Sequence, residues 1–201
     1  MNQNIDFSHL KEKARKFYKN FEPSHDFSHV ERVKKMALRI GKDENADLDI
    51  LRTAALFHDI GRDREEKGKI ECHAEWSAKK TSKILKDEKL DEVFIEKVVD
   101  CISAHRYSRG KKPKYQEAKI LSDADNLDAL GAIGIARVFS FGGSNNVDFK
   151  GDNSSLMHLH DKILKLKDRM YTDLGKNIAD DRTNFVEKFI ERFEDEWEGE
   201  R

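Results

Sequence analysis

The sequence predicts an all-α fold, and three observations support this prediction. Apolar residues recur at spacings of three and four in nearly every segment between turn signals, as in helices that bury one face. No stretch alternates apolar and polar residues convincingly at the period of two that marks a half-buried strand. Charged residues make up 38% of the chain and only two prolines occur, which suits amphipathic helices with solvated outer faces.

Turn signals divide the chain into successive predicted helices. These helices span residues 7–21, 29–40, 47–60, 73–86, 90–105, 118–137, 156–170 and 186–197. The second is expected to end before Gly41, and residues 118–137 form either one helix or a broken pair. The predicted loops, which place glycine or proline among polar residues, are 63–69, 106–115 and 141–153. The length suits one compact domain, and we expect residues 1–201 to form a single domain.

Composition limits the classes of function. The formal net charge of −1 lacks the basic field with which proteins bind nucleic-acid polymers, so no such partner is expected. No apolar run approaches the length of a membrane span, and the N-terminal residues lack the pattern of a signal peptide. We therefore expect a cytoplasmic protein without a membrane partner, in which Cys72 and Cys101 stay reduced.

Residues 51–63 contain the first candidate site. At 3.6 residues per turn, Leu51 and His58 share one helix face, so the imidazole points to the side that packs inward. Asp59 follows directly, and Gly61 permits a turn that ends the helix. An imidazole beside a carboxylate suits Zn, Mn or Fe, although a buried histidine bonded to a neighbouring aspartate is the structural alternative.

Two further positions supply metal-competent groups elsewhere in the chain. His29 lies on the inward stripe of its predicted helix, and Asp125 lies where its apolar neighbours place it in the core. A carboxylate is almost never fully buried unless it is paired or binds a metal. With His58 and Asp59, these residues would form a mixed nitrogen and oxygen site with room for water, the open coordination associated with catalysis.

Longer strings around these residues resemble a known family. The order of His29, then His58-Asp59, then Asp125 resembles the H…HD…D signature of the HD-domain metal-dependent phosphohydrolases. The strings that resemble a small stand-alone HD subfamily of about this length are residues 25–33, 54–61, 123–137 and 159–172. The resemblance therefore covers nearly the whole chain, roughly residues 8–195.

The resemblance implies a helical fold that holds one divalent metal. The implied ligands are His29, His58, Asp59 and Asp125. Mn²⁺ is the expected ion, with Mg²⁺, Co²⁺, Ni²⁺, Fe²⁺ and Zn²⁺ as alternatives. Members of the subfamily include metal-dependent nucleotide pyrophosphohydrolases, which implies a small phosphate ester, most plausibly a nucleotide, as the substrate.

The same resemblance suggests roles for three more residues. Asp63 resembles the acid with which several HD hydrolases orient or deprotonate the attacking water, and a solvated loop acid is the alternative. His73 and His105 occupy the interval in which bimetallic HD proteins carry two further histidines. They would bind a second metal or, as we favour, donate hydrogen bonds to the substrate phosphate. The structural alternative for His105 is a histidine that only complements a helix dipole.

Three cations are candidate phosphate contacts. Lysine and arginine neutralise phosphoryl oxygens, and the candidates are Arg62, Arg137 and Lys162. Each is equally well explained as a surface cation or as a partner in an internal ion pair.

The leading hypothesis is an enzyme that splits a (deoxy)nucleoside triphosphate into monophosphate and pyrophosphate with a metal-activated water. A 5′-nucleotidase, which would release phosphate from a monophosphate, is the nearest alternative. A nucleotide-sensing module with slow turnover is an alternative from a different class. Assembly as a homodimer stays open.

Overall fold

The structure is a computed structural model of the chain and describes residues 5–18, 27–106 and 111–201. These residues form α-helices with shorter π- and 3-10-helical segments, and none of them forms a strand. The α-helices are α1 (Phe7–Arg15), α2 (Phe27–Asp43), α3 (Leu48–Phe57), α4 (Arg62–Glu66), α5 (His73–Asp87), α6 (Glu92–Ala104), α7 (Gln116–Asp128), α8 (Gly131–Ser144), α9 (Ser155–His158) and α10 (Asp173–Glu198). The predicted all-α fold is confirmed.

The chain divides into two compact units, Met1–Asp125 and Asn126–Arg201. Each unit buries apolar side chains of its own. The expectation of a single domain over residues 1–201 stays a prediction.

The first unit is built around α3, which packs against α1, α2, α5 and α6. The side chain of Asp47 caps this helix, because it accepts from the backbone N–H groups of Asp49 and Ile50. The backbone N–H of Asp47 donates in turn to the carboxylate of Glu117, at a distance of 3.1 Å. The start of α3 is therefore joined to the first turn of α7.

Gly41 does not end α2, contrary to the prediction, and the helix continues to Asp43. A Cβ atom on Gly41 would lie 2.3 Å from Cδ1 of Leu51 and 3.1 Å from Cδ2 of Leu48. The glycine is needed for the close approach of α2 to α3. This packing outweighs a helix-propensity cost of about 1 kcal/mol relative to alanine.

The predicted loop over residues 63–69 was wrong at its start, where α4 forms. Two ion pairs at helical spacing support this short helix: Arg62 with Glu66 and Asp63 with Lys67. Glu65 and Asp63 also place negative charge in its first turn, where the helix dipole favours it.

The predicted helix 7–21 ends early, at Arg15, and its last residues lie outside the described part of the chain. So do residues 107–110 of the predicted basic loop. The predicted loop 141–153 begins later than expected, because α8 continues to Ser144.

The second unit contains the break between α7 and α8, which was one of two alternatives for residues 118–137. Gly131 has a φ of 70°, a left-handed conformation that suits glycine and separates the two helices. Residues 156–170 do not form the single regular helix that was predicted. Instead, α9 continues into a π-helix (Leu159–Ile163) and then a 3-10 helix (Leu164–Arg169). The 3-10 helix and α8 both pack on α10. Within the described residues, every helix is too short or too polar to cross a membrane.

Candidate metal centre

The end of α3 places His58 in the interior of the first unit, where it is fully buried. Its Nδ1 lies 2.9 Å from the carbonyl oxygen of Ala55, which can only accept, so Nδ1 carries the proton. The Nε2 atom of the neutral ring then offers a lone pair. This atom lies 3.2 Å from Nε2 of His29 and 3.9 Å from Oδ1 of Asp125.

Asp125 completes this first group. Its Oδ1 lies 3.4 Å from Nε2 of His29. The donor atoms of His29, His58 and Asp125 all lie within 4.8 Å of one another, close enough to surround one ion. The neighbouring acid Asp123 is also buried, but it belongs to neither of the two described groups of metal-competent side chains.

Asp59 lies between this group and a second one. Its Oδ2 is 3.9 Å from Nε2 of both His29 and His58. Its Oδ1 is 3.1 Å from Nε2 of His73 and 3.4 Å from Nε2 of His105. The carboxylate therefore faces four imidazoles, two with each oxygen.

The second group consists of Asp59, His73 and His105, whose donor atoms also lie within 4.8 Å of one another. Nδ1 of His105 donates to the carbonyl of Ile102 at 2.6 Å, and Nδ1 of His73 donates to Oε2 of Glu65 at 2.6 Å. In their neutral forms both rings thus direct an Nε2 lone pair toward the same space. The two Nε2 atoms are 3.4 Å apart.

The donor set fits a divalent cation. Oδ1 of Asp59 is buried and has no hydrogen-bond partner among the described residues, despite its short distances to two imidazole nitrogens. A buried carboxylate oxygen without such a partner is costly unless a cation binds it. Neutral imidazoles and carboxylates are ligands that Mn, Fe and Zn accept.

The pKa values of His58, in the first group, and His105, in the second, are shifted in opposite directions. Burial lowers the pKa of His58 to about 4, and the charges of Asp59 and Asp125 only partly offset this effect. Burial also lowers the pKa of His105, but the nearby negative charge of Asp59 outweighs it and raises the pKa overall. His58 is therefore neutral at neutral pH, as a metal ligand must be, whereas His105 binds a proton more readily and suits an anionic ligand.

Arg62 and Asp63 lie on α4, directly after the turn that follows Asp59. Burial lowers the pKa of Arg62, but Asp59, Glu66 and Asp125 outweigh it and raise the pKa, so the guanidinium group experiences the charge of the cluster. Nε of Arg62 also pairs with Glu66 at 3.2 Å. The carboxylate of Asp63 pairs with Nζ of Lys67 at 2.5 Å.

The two other predicted phosphate contacts lie in the second unit. Nη1 of Arg137 donates to Oδ2 of Asp128 at 2.8 Å, so this arginine is a partner in an internal ion pair. Lys162 lies on the π-helix and is exposed.

Glu65 is a residue of the site that sequence reasoning missed. It contacts His73 through one carboxylate oxygen and Arg106 through the other. Burial raises the pKa of Glu65, but hydrogen bonds from His73 and Arg106 outweigh it and lower the pKa below its usual value. The available signal was the helical spacing of Arg62 and Glu65, which would share a face if residues 62–66 were predicted as a helix.

The sequence profile of the HD domain matches residues 26–130, which include every residue of the two groups. The chain therefore belongs to the HD domain family. Over 183 residues it is 35% identical to YpgQ of Bacillus subtilis (strain 168), and the match covers 85% of this chain and 83% of YpgQ.

Crystal structures show the same fold. The structure of Bacillus subtilis YpgQ in complex with ADP matches with a TM-score of 0.78 and 29% identity, covering 96% of this chain and 99% of that chain. The structure of an HD-superfamily hydrolase from Bacillus thuringiensis matches with a TM-score of 0.78 and 32% identity, covering 96% and 97%. A predicted HD superfamily hydrolase from an uncultured Thermotogales bacterium matches with a TM-score of 0.71 and 33% identity, covering 94% and 92%. The chain is an HD-superfamily hydrolase.

Proposed function

We propose that the protein is a metal-dependent nucleotide phosphohydrolase that splits a (deoxy)nucleoside triphosphate into the monophosphate and pyrophosphate. The observation that carries this proposal is the buried carboxylate of Asp59, which faces four imidazoles and retains an oxygen without a hydrogen-bond partner among the described residues. Such a donor set is arranged to bind a cation.

The residues that would hold the metal are His29, His58, Asp59 and Asp125. Mn²⁺ is the ion we expect, with the other divalent ions of this series as alternatives. When bound, a divalent ion lowers the pKa of water toward neutrality and offsets negative charge on a phosphoryl group. The protein contributes a neutral imidazole with a fixed proton position at His58, so ion binding need not displace a proton from this residue at neutral pH.

The second group would orient the substrate phosphates. The raised pKa of His105 supports a role as a hydrogen-bond donor to a phosphoryl oxygen. His73 would act beside it, and the guanidinium group of Arg62 would add positive charge near the same carboxylates. The alternative is that His73 and His105 bind a second metal ion with Asp59.

Asp63 and Lys162 keep the roles that the sequence suggests. We retain Asp63 as the acid that orients or deprotonates the attacking water, although its carboxylate pairs with Lys67 in the structure. Lys162 stays a proposed phosphate contact. The ion pair of Arg137 with buried Asp128 favours the structural alternative for Arg137.

A nucleotide is the proposed substrate because the crystal structure of YpgQ, which this chain resembles over nearly its whole length, is a complex with ADP. The test is to incubate the metal-free protein with a panel of nucleoside tri-, di- and monophosphates and Mn²⁺, Mg²⁺ or Co²⁺. Pyrophosphate released from triphosphates would support the proposal. Phosphate released from monophosphates would identify a 5′-nucleotidase instead.

A nucleotide-sensing module is the alternative from another class. Saturable nucleotide binding, measured by calorimetry, without turnover by any nucleotide and ion in the panel would support it and overturn the enzymatic proposal. Sedimentation velocity on the same preparation would show whether the protein forms the homodimer that the sequence leaves open.

A further inference from the structure

His73 differs from His58 and His105 in the group that accepts a hydrogen bond from Nδ1 of its imidazole. His58 and His105 donate from Nδ1 to backbone carbonyls of their own helices, Ala55 and Ile102. His73 donates to a side chain, the carboxylate of Glu65, at 2.6 Å. Its orientation therefore depends on a residue outside its own helix.

Arg106 holds the other oxygen of Glu65. Its Nη1 lies 2.5 Å from Oε1, while Oε2 accepts from His73. The Glu65 side chain is half-buried, with 19% of its surface exposed, and His73 is buried, so the Glu65–His73 contact is not a loose surface pair. A carboxylate fixed at both oxygens offers His73 an acceptor in one defined place.

The start of α5 makes this contact more important. His73 is the first residue of α5, and the residue before it, Cys72, makes no side-chain cap to the helix. The carboxylate of Glu65 accepts from the side chain of this first helical residue. The Glu65–His73 hydrogen bond thus ties α4 to the beginning of α5 and sets the position of the imidazole.

We propose that Glu65 is a positioning residue that keeps a proton on Nδ1 of His73 and directs Nε2 toward Asp59 and His105. On the other side of the ring, Nε2 lies 3.1 Å from Oδ1 of Asp59, so it donates to that carboxylate or shares a bound cation with it. Carboxylates that accept from the remote nitrogen of an active-site histidine fix its tautomer and orientation. The functional part of this inference rests on the proposed nucleotide hydrolysis, but the tautomer assignment does not.

The decisive substitution is Glu65→Gln, which keeps the size of the side chain and removes the charge. Arg106 can only donate, so the amide oxygen of the glutamine would turn toward Arg106 and its NH₂ group toward Nδ1 of His73. The ring would then have to accept at Nδ1 and carry its proton on Nε2. Glu75→Gln is the matched control, because Glu75 lies on α5 and is exposed.

Long-range ¹H–¹⁵N spectra of the metal-free protein, labelled at histidine, measure the tautomer directly. We expect a proton on Nδ1 of His73 in the parent and in Glu75→Gln, and a bare Nδ1 with the proton on Nε2 in Glu65→Gln. A parent ring that carries a proton on Nε2 and none on Nδ1 would overturn the proposal without any variant. An unchanged His73 tautomer in folded Glu65→Gln would also overturn it. If that variant does not fold, the parent spectrum still decides.

Kinetics with a nucleoside triphosphate and Mn²⁺ test the consequence for catalysis. We expect Glu65→Gln to lower kcat/KM by about 10- to 100-fold, the usual effect of removing a partner that orients a metal or phosphate ligand. Glu75→Gln should stay within about twofold of the parent, as most exposed substitutions do. Calorimetric titration with Mn²⁺ alone should show weaker or fewer bound ions if His73 is a ligand, and parent-like binding if it contacts phosphate.

The spectra and the kinetics distinguish a failure of the proposed function from a failure of the proposed role of Glu65. A parent protein that hydrolyses no nucleotide would overturn the proposed function, while the spectra would still decide the role of Glu65. Parent-like kcat/KM in Glu65→Gln, in a protein that does hydrolyse nucleotides, would overturn the positioning role alone.

Discussion

Oδ1 of Asp59 lies 3.1 Å from Nε2 of His73, and this contact joins two groups of metal-competent side chains. The other oxygen of the same carboxylate faces His29 and His58. One side chain therefore serves both groups. Changes at Asp59 should consequently affect metal binding and phosphate binding together, which makes it the most informative residue to substitute.

Asp59→Ala should abolish metal binding and lower activity by more than about 100-fold, since even the outer partners of metal ligands contribute 10- to 100-fold. Helical content should change little, because Asp59 follows the last residue of α3 by two positions. Metal analysis of the purified protein and circular dichroism measure the two effects. Asp49→Ala, an exposed acid on α3, is the control. An Asp59→Ala variant as active as the parent would show that the acid is only structural.

The metal-free protein should lose stability as the pH falls from about 6.5 to 4. The pKa of buried His58 falls from 6.5 to about 4 on folding, so only the unfolded chain binds a proton at this site in that interval. Protonation thus favours unfolding, and the loss from this group amounts to about 3 kcal/mol at the lower end. Urea unfolding at several pH values measures it. In His58→Asn, the stability should depend less on pH between 6.5 and 4. A dependence as steep as that of the parent would show that His58 is not its source.

Asp63→Asn should lower kcat by about 100-fold with little change in KM, if this acid orients or deprotonates the attacking water. Lys67→Gln is the matched control, because it breaks the same ion pair and leaves the acid in place. Steady-state kinetics of both variants would decide. Equal and small effects would show that Asp63 acts only through its ion pair on the surface of α4.

Gly61→Ala should destabilise the protein by about 1–3 kcal/mol, the usual cost of forcing an extra methyl group into a packed region. A Cβ atom there would lie 2.9 Å from the carbonyl oxygen of His73 and 3.1 Å from Oγ of Ser77. Because the clash displaces the start of α5, KM for the nucleotide should rise as well. Gly143→Ala is the control, since a Cβ atom meets nothing within 4 Å there. If Gly61→Ala changes neither the stability nor KM, the start of α5 can move to accommodate the methyl group at little cost.

Arg137→Ala should destabilise the protein by about 1.5–3 kcal/mol, because it removes a charge-assisted hydrogen bond from the buried carboxylate of Asp128. The KM for the nucleotide should stay within about twofold of the parent if Arg137 is structural. Thermal unfolding and steady-state kinetics measure the two effects. A rise in KM without loss of stability would instead support a phosphate contact.

Sequence reasoning reached the helices and the four proposed ligands for physical reasons. His29 and His58 fall on inward stripes that helical periodicity reveals, and both are buried. The apolar neighbours of Asp125 placed it in the core, whereas 29% of its side chain is exposed in the structure. The structure brings these residues together with Asp59.

Other features depend on tertiary contacts that no local pattern encodes. Gly41 was interpreted as a helix end, because packing against Leu51 cannot be seen in the sequence. Glu65 was missed because its partners, His73 and Arg106, lie in other parts of the chain. The division into two groups is likewise a property of the fold, since it depends on which oxygen of Asp59 faces which imidazole.

The hydrogen bond between Asp47 and Glu117 fixes a common origin for two of the proposed ligands. His58 comes eleven residues after Asp47, and Asp125 comes eight residues after Glu117, with each stretch almost entirely helical. One inserted or deleted residue in either stretch would turn its ligand by about 100° around the helix axis and shift it by about 1.5 Å. Insertions and deletions among relatives should therefore fall outside residues 47–58 and 117–125.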